Sequence, residues 1–211
     1  MLDPTVLELL ASRICHDLIS PVGAVHNGVE FLQEMGAEAG GEAIDLIAHS
    51  AETAAAKLQI FRLAYGAGGR DPNIKPEDIH RTFESLIKMD GKITHDWDPH
   101  DDLGFDERPD GYCKILMGAL MLAQECLPKG GTIAVTAADM AGVNLITATG
   151  DDAALRSDFD TAMDGNLAPD NLDPRLVHPY ALGVLAQHYN LDLKIAGQEN
   201  GKVSFTLSVR V

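Results

Sequence analysis

The residues best suited to chemistry lie in the stretch Ser12-Arg13-Ile14-Cys15-His16-Asp17-Leu18-Ile19-Ser20-Pro21. An imidazole beside a carboxylate makes a nucleophile. A hydrogen bond from one ring nitrogen to Asp17 fixes the tautomer and leaves the other nitrogen with its lone pair. On a helix, His16 stands about 200° round from the apolar Ile14, so it points away from the apolar face. Arg13, Ser20, Gly23 and Asn27 fall on its side of the helix at i−3, i+4, i+7 and i+11. All are small or polar, which leaves the imidazole open to a docking macromolecule. Arg13 suits neutralising a phosphoryl group on His16, and Ser20 places a hydroxyl one turn away. A solvated surface histidine and an ordinary exposed serine are the plain alternatives for His16 and Ser20. Cys15 points about 100° from His16 and is a flanking contact, not a dyad partner.

The element that must carry these residues is a long helix. Apolar positions recur at Leu7, Leu10, Ile14, Leu18, Pro21, Val25, Val29 and Leu32, a heptad-like seam. Asp3-Pro4 supplies an N-cap and a first-turn proline, and Gly36 with Gly40-Gly41 stops the helix. Pro21 lies inside the pattern and must disturb it about one turn after His16. A second seam runs through Ile44, Ile47, Ala51, Ala54, Leu58, Phe61 and Tyr65 to a glycine-rich stop. Two such helices make an antiparallel hairpin, and one hairpin cannot cover both apolar stripes. Pairing of two copies into a four-helix bundle is expected, so the chain is read as a homodimer.

After the hairpin, assigned to residues 1–70, the pattern becomes mixed over residues 71–211. Helices are expected at 76–88, 111–126 and 174–189. Strands are expected at 92–97, 132–137, 143–149, 191–196 and 203–211, the last two forming a hairpin. This order predicts an α+β sandwich with helices on one face of a mostly antiparallel sheet.

Composition sets limits on partners and compartment. The 211 residues carry a formal charge of −16 and are 45% hydrophobic. Such acidity disfavours nucleic acid and anionic membranes. Residues 90–111 and 150–174 each hold −6, so these loop-like stretches contain 12 of the 16 excess negative charges. No apolar run reaches the roughly 18 residues of a membrane span, and no basic-then-apolar leader opens the chain. Three scattered cysteines give neither a disulfide framework nor a zinc site, so a reducing cytoplasmic compartment is expected. His95, Asp96, Asp98, His100, Asp101 and Asp102 cluster in sequence, but around Pro99 they read as a solvated acidic loop, and no metal ligand set is assigned. Cys113, Cys126, Met117, Met121 and Leu122 read as core. His26, His49, His80, His178 and His188 have no partners nameable from spacing.

His16-Asp17-x-x-x-Pro21, midway along the first helix of a dimerising hairpin, resembles the phospho-acceptor box of two-component sensor histidine kinases. Downstream, Leu116 to Ala123 followed by Gly130-Gly131-Thr132-Ile133 resembles the nucleotide-binding helix and strand of those kinases. The asparagines of that motif fall on Gly118 and Leu122, which cannot coordinate a cation. The adenine-reading aspartate falls on Ala148, and the glycine-rich lid is reduced to Gly183. The ending Gly201-Lys202-Val203-Ser204-Phe205-Thr206-Leu207 keeps the kinase pattern. This combination resembles the ChpT-type histidine phosphotransferases of alphaproteobacteria, supported also by Phe61 to Gly66 and His178 to Gly183.

The resemblance covers essentially the whole chain. It implies a homodimer that takes phosphate from the receiver aspartate of a hybrid kinase onto His16 and passes it to downstream response regulators. It also implies a nucleotide-binding fold that has lost its nucleotide, with no cofactor of its own and magnesium supplied by the receiver. Receiver docking is expected around Gly23, Asn27 and Phe31. Two other functions remain open on the sequence: a non-catalytic module that binds receivers or kinases, and an ATP-dependent histidine kinase with an aberrant site.

Overall fold

The computed structural model describes residues 3–36, 40–67, 73–105 and 107–210. The expected boundary between residues 70 and 71 lies outside them.

The first helix, α1, spans Pro4–Met35. Asp3 caps it, its carboxylate accepting from the Thr5 N–H at 2.8 Å, and Gly36 closes it by donating to the Leu32 carbonyl. Helix α2, Gly40–Ala64, returns alongside it. They pack closely at Gly28, where a Cβ would lie 2.6 Å from Ile47 Cγ1 and force that side chain to shift.

The α2 stripe facing inward shares Ile47, Ala54 and Phe61 with the expected seam. It otherwise uses Ala43, Ser50 and Lys57, where Ile44, Ala51 and Leu58 were expected. Small residues on this side permit close packing, and Ile44, Ala51 and Leu58 are left exposed. Leu7 is exposed as well, its place being taken by Val6, which packs on Leu172 and Val177.

The rest of the chain is a mixed α/β unit. In order it contains α3 (Pro76–Asp90), β1 (Ile93–Asp96), α4 (Tyr112–Glu125), β2 (Gly131–Ala137), β3 (Val143–Thr149), α5 (Phe159–Met163), α6 (Val177–His188), β4 (Leu191–Glu199) and β5 (Lys202–Val209). The five-stranded sheet runs β1-β2-β3-β5-β4, with β1 parallel to β2 and every other pair antiparallel. Alternation along the strands turns Ile133, Val135, Ile146, Ala148, Val203, Phe205 and Leu207 into one core beneath the helices. Helix α4 is its centre, buried from Tyr112 to Ala123. Gly111 (φ 76) starts α4 where a Cβ would enter the Tyr189 ring.

One further feature differs from the sequence expectation. The acidic stretch 150–174 is not wholly solvated loop: it contains α5, whose Phe159, Ala162 and Met163 are buried. At the end of α2, Ile60, Phe61, Leu63 and Ala64 join the core of the second unit. There Lys114 of α4, itself buried, donates from Nζ to the carbonyls of Leu63, Ala64 and Gly66 at 3.3, 3.0 and 2.8 Å. A helix C-terminus leaves carbonyls unpaired, and the buried ammonium satisfies them.

Candidate functional site

Helix α1 carries His16, Ser20, Gly23, Asn27 and Phe31 along one side, at steps of four, three, four and four residues. The His16 side chain is 86% exposed, with Nδ1 3.3 Å from Asp17 Oδ1. A proton on Nδ1 shared with that carboxylate leaves Nε2 as the nucleophilic position. Ser20, Asn27 and Phe31 are exposed, and a Cβ at Gly23 would meet nothing within 4 Å. The face beside and beyond the imidazole is thus low and open.

The backbone under His16 has a specific support. Pro21 has no N–H, so the Asp17 carbonyl, four residues earlier, cannot complete its helical hydrogen bond. Lys57 of α2 fills the gap, donating from Nζ to the Asp17 carbonyl at 3.0 Å. The sequence reading missed Lys57. Its signal was a lysine between Ala54 and Phe61, on the stripe that turns inward.

Arg13 is placed differently from the expectation. Its guanidinium pairs with Glu125 at the end of α4, lies 3.5 Å from the Pro174 carbonyl, and is only 16% exposed. Glu125 also accepts from Nδ1 of His178, which is fully buried in α6, at 2.9 Å. The Tyr65 ring meets His178 edge-on, 5.8 Å between centroids. Burial pushes the Glu125 carboxyl up, but the His178 hydrogen bond and the Arg13 charge outweigh it and keep the carboxylate ionised. Burial pushes His178 below the ordinary imidazole range, so it is neutral and donates through Nδ1. Burial likewise raises the Tyr65 phenol far above its usual value. Arg13 is therefore a strut between the hairpin and the second unit, because the buried Glu125 carboxylate requires a cation.

A cavity of about 320 Å³ opens between hairpin and second unit, lined among others by Arg13, Asp17, Lys57, Asp90 and Arg156. A larger groove, about 830 Å³, lies between α2 and α3, and none of the expected site residues line it.

The positions that the resemblance aligns with nucleotide ligands are Gly118, Leu122 and Ala148. A Cβ at Gly118 would run into Leu182 of α6, and Leu122 and Ala148 are fully buried in the core. These positions offer neither carboxamide nor carboxylate, and apolar side chains fill the space around them. Cys113 and Cys126 are buried, with thiols pushed up to about 12 by burial, which leaves them unreactive. Among the described residues, no helix is long and apolar enough to cross a membrane.

Residues 76–201 match the family model described as the histidine phosphotransferase C-terminal domain. The chain is 33% identical over 190 residues to the protein phosphotransferase ChpT of Brucella abortus (strain 2308), covering 89% of this chain and 88% of that protein. Among solved structures it resembles one titled a bacterial phosphotransferase, with TM-score 0.78 and 28% identity, covering 99% and 98% of the two chains.

Proposed function

Because the chain belongs to the histidine phosphotransferase family and is a phosphotransferase of a phosphorelay, we propose that His16 is its phospho-acceptor and that receiver domains are its donors and acceptors. The observation that carries this reading is the open imidazole with Nδ1 held by Asp17. Nε2 attacks the phosphorus of a receiver aspartyl phosphate in line. The N–P bond forms as the acyl P–O bond breaks, and the electron pair leaves on the receiver carboxylate. Charge on the transferring group is stabilised by the receiver's own magnesium and lysine, and this chain contributes no cofactor. Both phosphorylated species are high in energy, so transfer runs in either direction.

Gly23, Asn27 and Phe31 form the docking face beyond the nucleophile, and Ser20 stands within reach of the phosphoryl oxygens. Arg13 acts on the site through position only, since Glu125 holds its guanidinium. A dimeric four-helix bundle completes the hairpin. Ile44 and Leu58, spaced two heptads apart on α2, are 59% and 53% exposed, and Ile19 and Val22 of α1 are 69% and 54% exposed. A second hairpin covers this apolar stripe. Residues 1–70 then act as acceptor and dimerisation unit, and 71–211 as a kinase-like unit without nucleotide. The protein works in the cytoplasm, where its receivers are.

The test is transfer of phosphate from a phosphorylated receiver to this chain without ATP. A binding-only module would take up no label, and an ATP-dependent kinase would label itself from ATP alone.

A further inference from the structure

Helix α3 and strand β1 bring together three groups that the sequence keeps apart. His80 and Glu84 sit one turn apart on α3, and His95 sits on β1. One ligand atom from each lies within 4.8 Å of the others. The His80 and His95 rings are 4.2 Å apart between centroids. Among the described residues, Nδ1 of His95 is buried with no hydrogen-bond partner, an anomaly for a polar atom beside two other ligating groups. Asp96, Asp98, Asp101 and Asp102, neighbours of His95 in sequence, are not part of this cluster. His100 pairs instead with Glu77 at 3.2 Å.

We propose that His80, Glu84 and His95 bind one divalent late first-row transition ion, of the zinc class, which pins α3 to the edge strand β1. Two imidazoles and one carboxylate suit zinc, cobalt or nickel and do not suit magnesium or calcium, which take oxygen ligands. In a tetrahedral shell of about 2 Å bonds, ligand atoms lie about 3.3 Å apart, so closure takes side-chain movements of about 1.5 Å at most. All three residues are only partly buried, and a three-ligand set of this kind leaves a fourth position for water. Lys88 pairs with Glu84 Oε1 at 2.8 Å and opposes the ion, setting an affinity below that of a closed structural site.

The pinned elements belong to the same framework as the acceptor helix: Asp90, the last residue of α3, and Ile93, the first of β1, line the cavity that also contains Asp17 and Lys57. The ion thus braces the wall of that cavity and has no part in phosphoryl transfer.

Trp97 makes the site directly readable. It is the chain's single tryptophan, and its ring lies 5.0 Å from His80 and 6.4 Å from His95. The experiment is titration of tag-free, chelator-treated full-length protein with zinc chloride or cobalt chloride. Trp97 fluorescence, cobalt visible absorption and metal content are followed together. The expected result is saturable binding of one ion per chain, with a change in Trp97 emission and cobalt bands of low coordination number. His80→Gln combined with His95→Gln lowers zinc affinity at least about 100-fold. The single surface variant Glu84→Gln weakens it in the same direction, which keeps the test valid if the double variant folds poorly. No saturable binding by the wild type, or binding of undiminished affinity in Glu84→Gln and His80→Gln, would overturn the proposal. So would a bound ion that leaves Trp97 emission unchanged.

Discussion

Lys57 donates a 3.0 Å hydrogen bond to the backbone carbonyl of Asp17, the one carbonyl of the His16 turn that Pro21 deprives of its helical partner. A proline five residues after the histidine would otherwise weaken the backbone next to the His16 imidazole. The lysine from the second helix repairs it and ties α2 to the His16 turn. Lys57→Met is expected to cost about 1–2 kcal/mol of stability and to slow phosphate uptake. In a Pro21→Ala background the helical N–H returns, so Lys57→Met should then cost clearly less. Chemical denaturation of the four proteins of this cycle measures the coupling, and additive costs would refute the link.

Arg13 and Glu125 should behave as one structural unit. Removing either leaves the other's charge uncompensated in a nearly buried place, so Arg13→Ala and Glu125→Ala should each cost about 3 kcal/mol. The double variant should cost little more than either single one. Thermal melting checks this, and a loss of transfer in Arg13→Ala without loss of stability would return Arg13 to the phosphoryl group.

Stability should fall as the solution is acidified from about pH 7 to 5. His178 is neutral in the fold because burial lowers its affinity for protons, while in the unfolded chain it takes one up near its ordinary value. Its contribution is therefore present above about pH 6.5 and is lost as pH falls, approaching about 1.4 kcal/mol per pH unit. Glu125, Arg13, Asp17 and Tyr65 surround it, and the lowered Glu125 adds a loss of the same sign at still lower pH. His95 acts in the same direction. Unfolding midpoints measured across this range should flatten in His178→Gln, and an unchanged slope would contradict the assignment.

Charge placed on the exposed stripe should separate the copies. Leu58→Glu and Ile44→Asp put carboxylates where a second hairpin would pack, so both should sediment as monomers while keeping wild-type circular dichroism. A wild-type chain that already sediments as a monomer would refute the dimer.

The helical placement of the His16 motif was legible because it is local. His16, Asp17 and Pro21 stand at helical spacings whose consequences follow from geometry alone, and the alternation of the strands likewise placed the sheet. What was not legible depends on tertiary contact. Lys57 could not be tied to Asp17 without knowing the phase of α2, and the expected seam was one residue off at Ile44, Ala51 and Leu58. Arg13 shares the His16 side of the helix by spacing, but a long side chain goes to the nearest buried carboxylate, and Glu125 is 112 residues away. His80 and Glu84 had a visible i, i+4 spacing, yet their third member, His95, arrives only when α3 docks on β1. The acidic run at 150–174 hid α5 because three buried residues among many carboxylates give no helical period.

The most direct measurement is phosphate transfer from a purified, labelled phospho-receiver to this chain with ATP absent. The account predicts that the wild type acquires an acid-labile, base-stable label that returns to an unphosphorylated receiver, and that His16→Gln acquires none while keeping its fold. Label that persists in His16→Gln would contradict it.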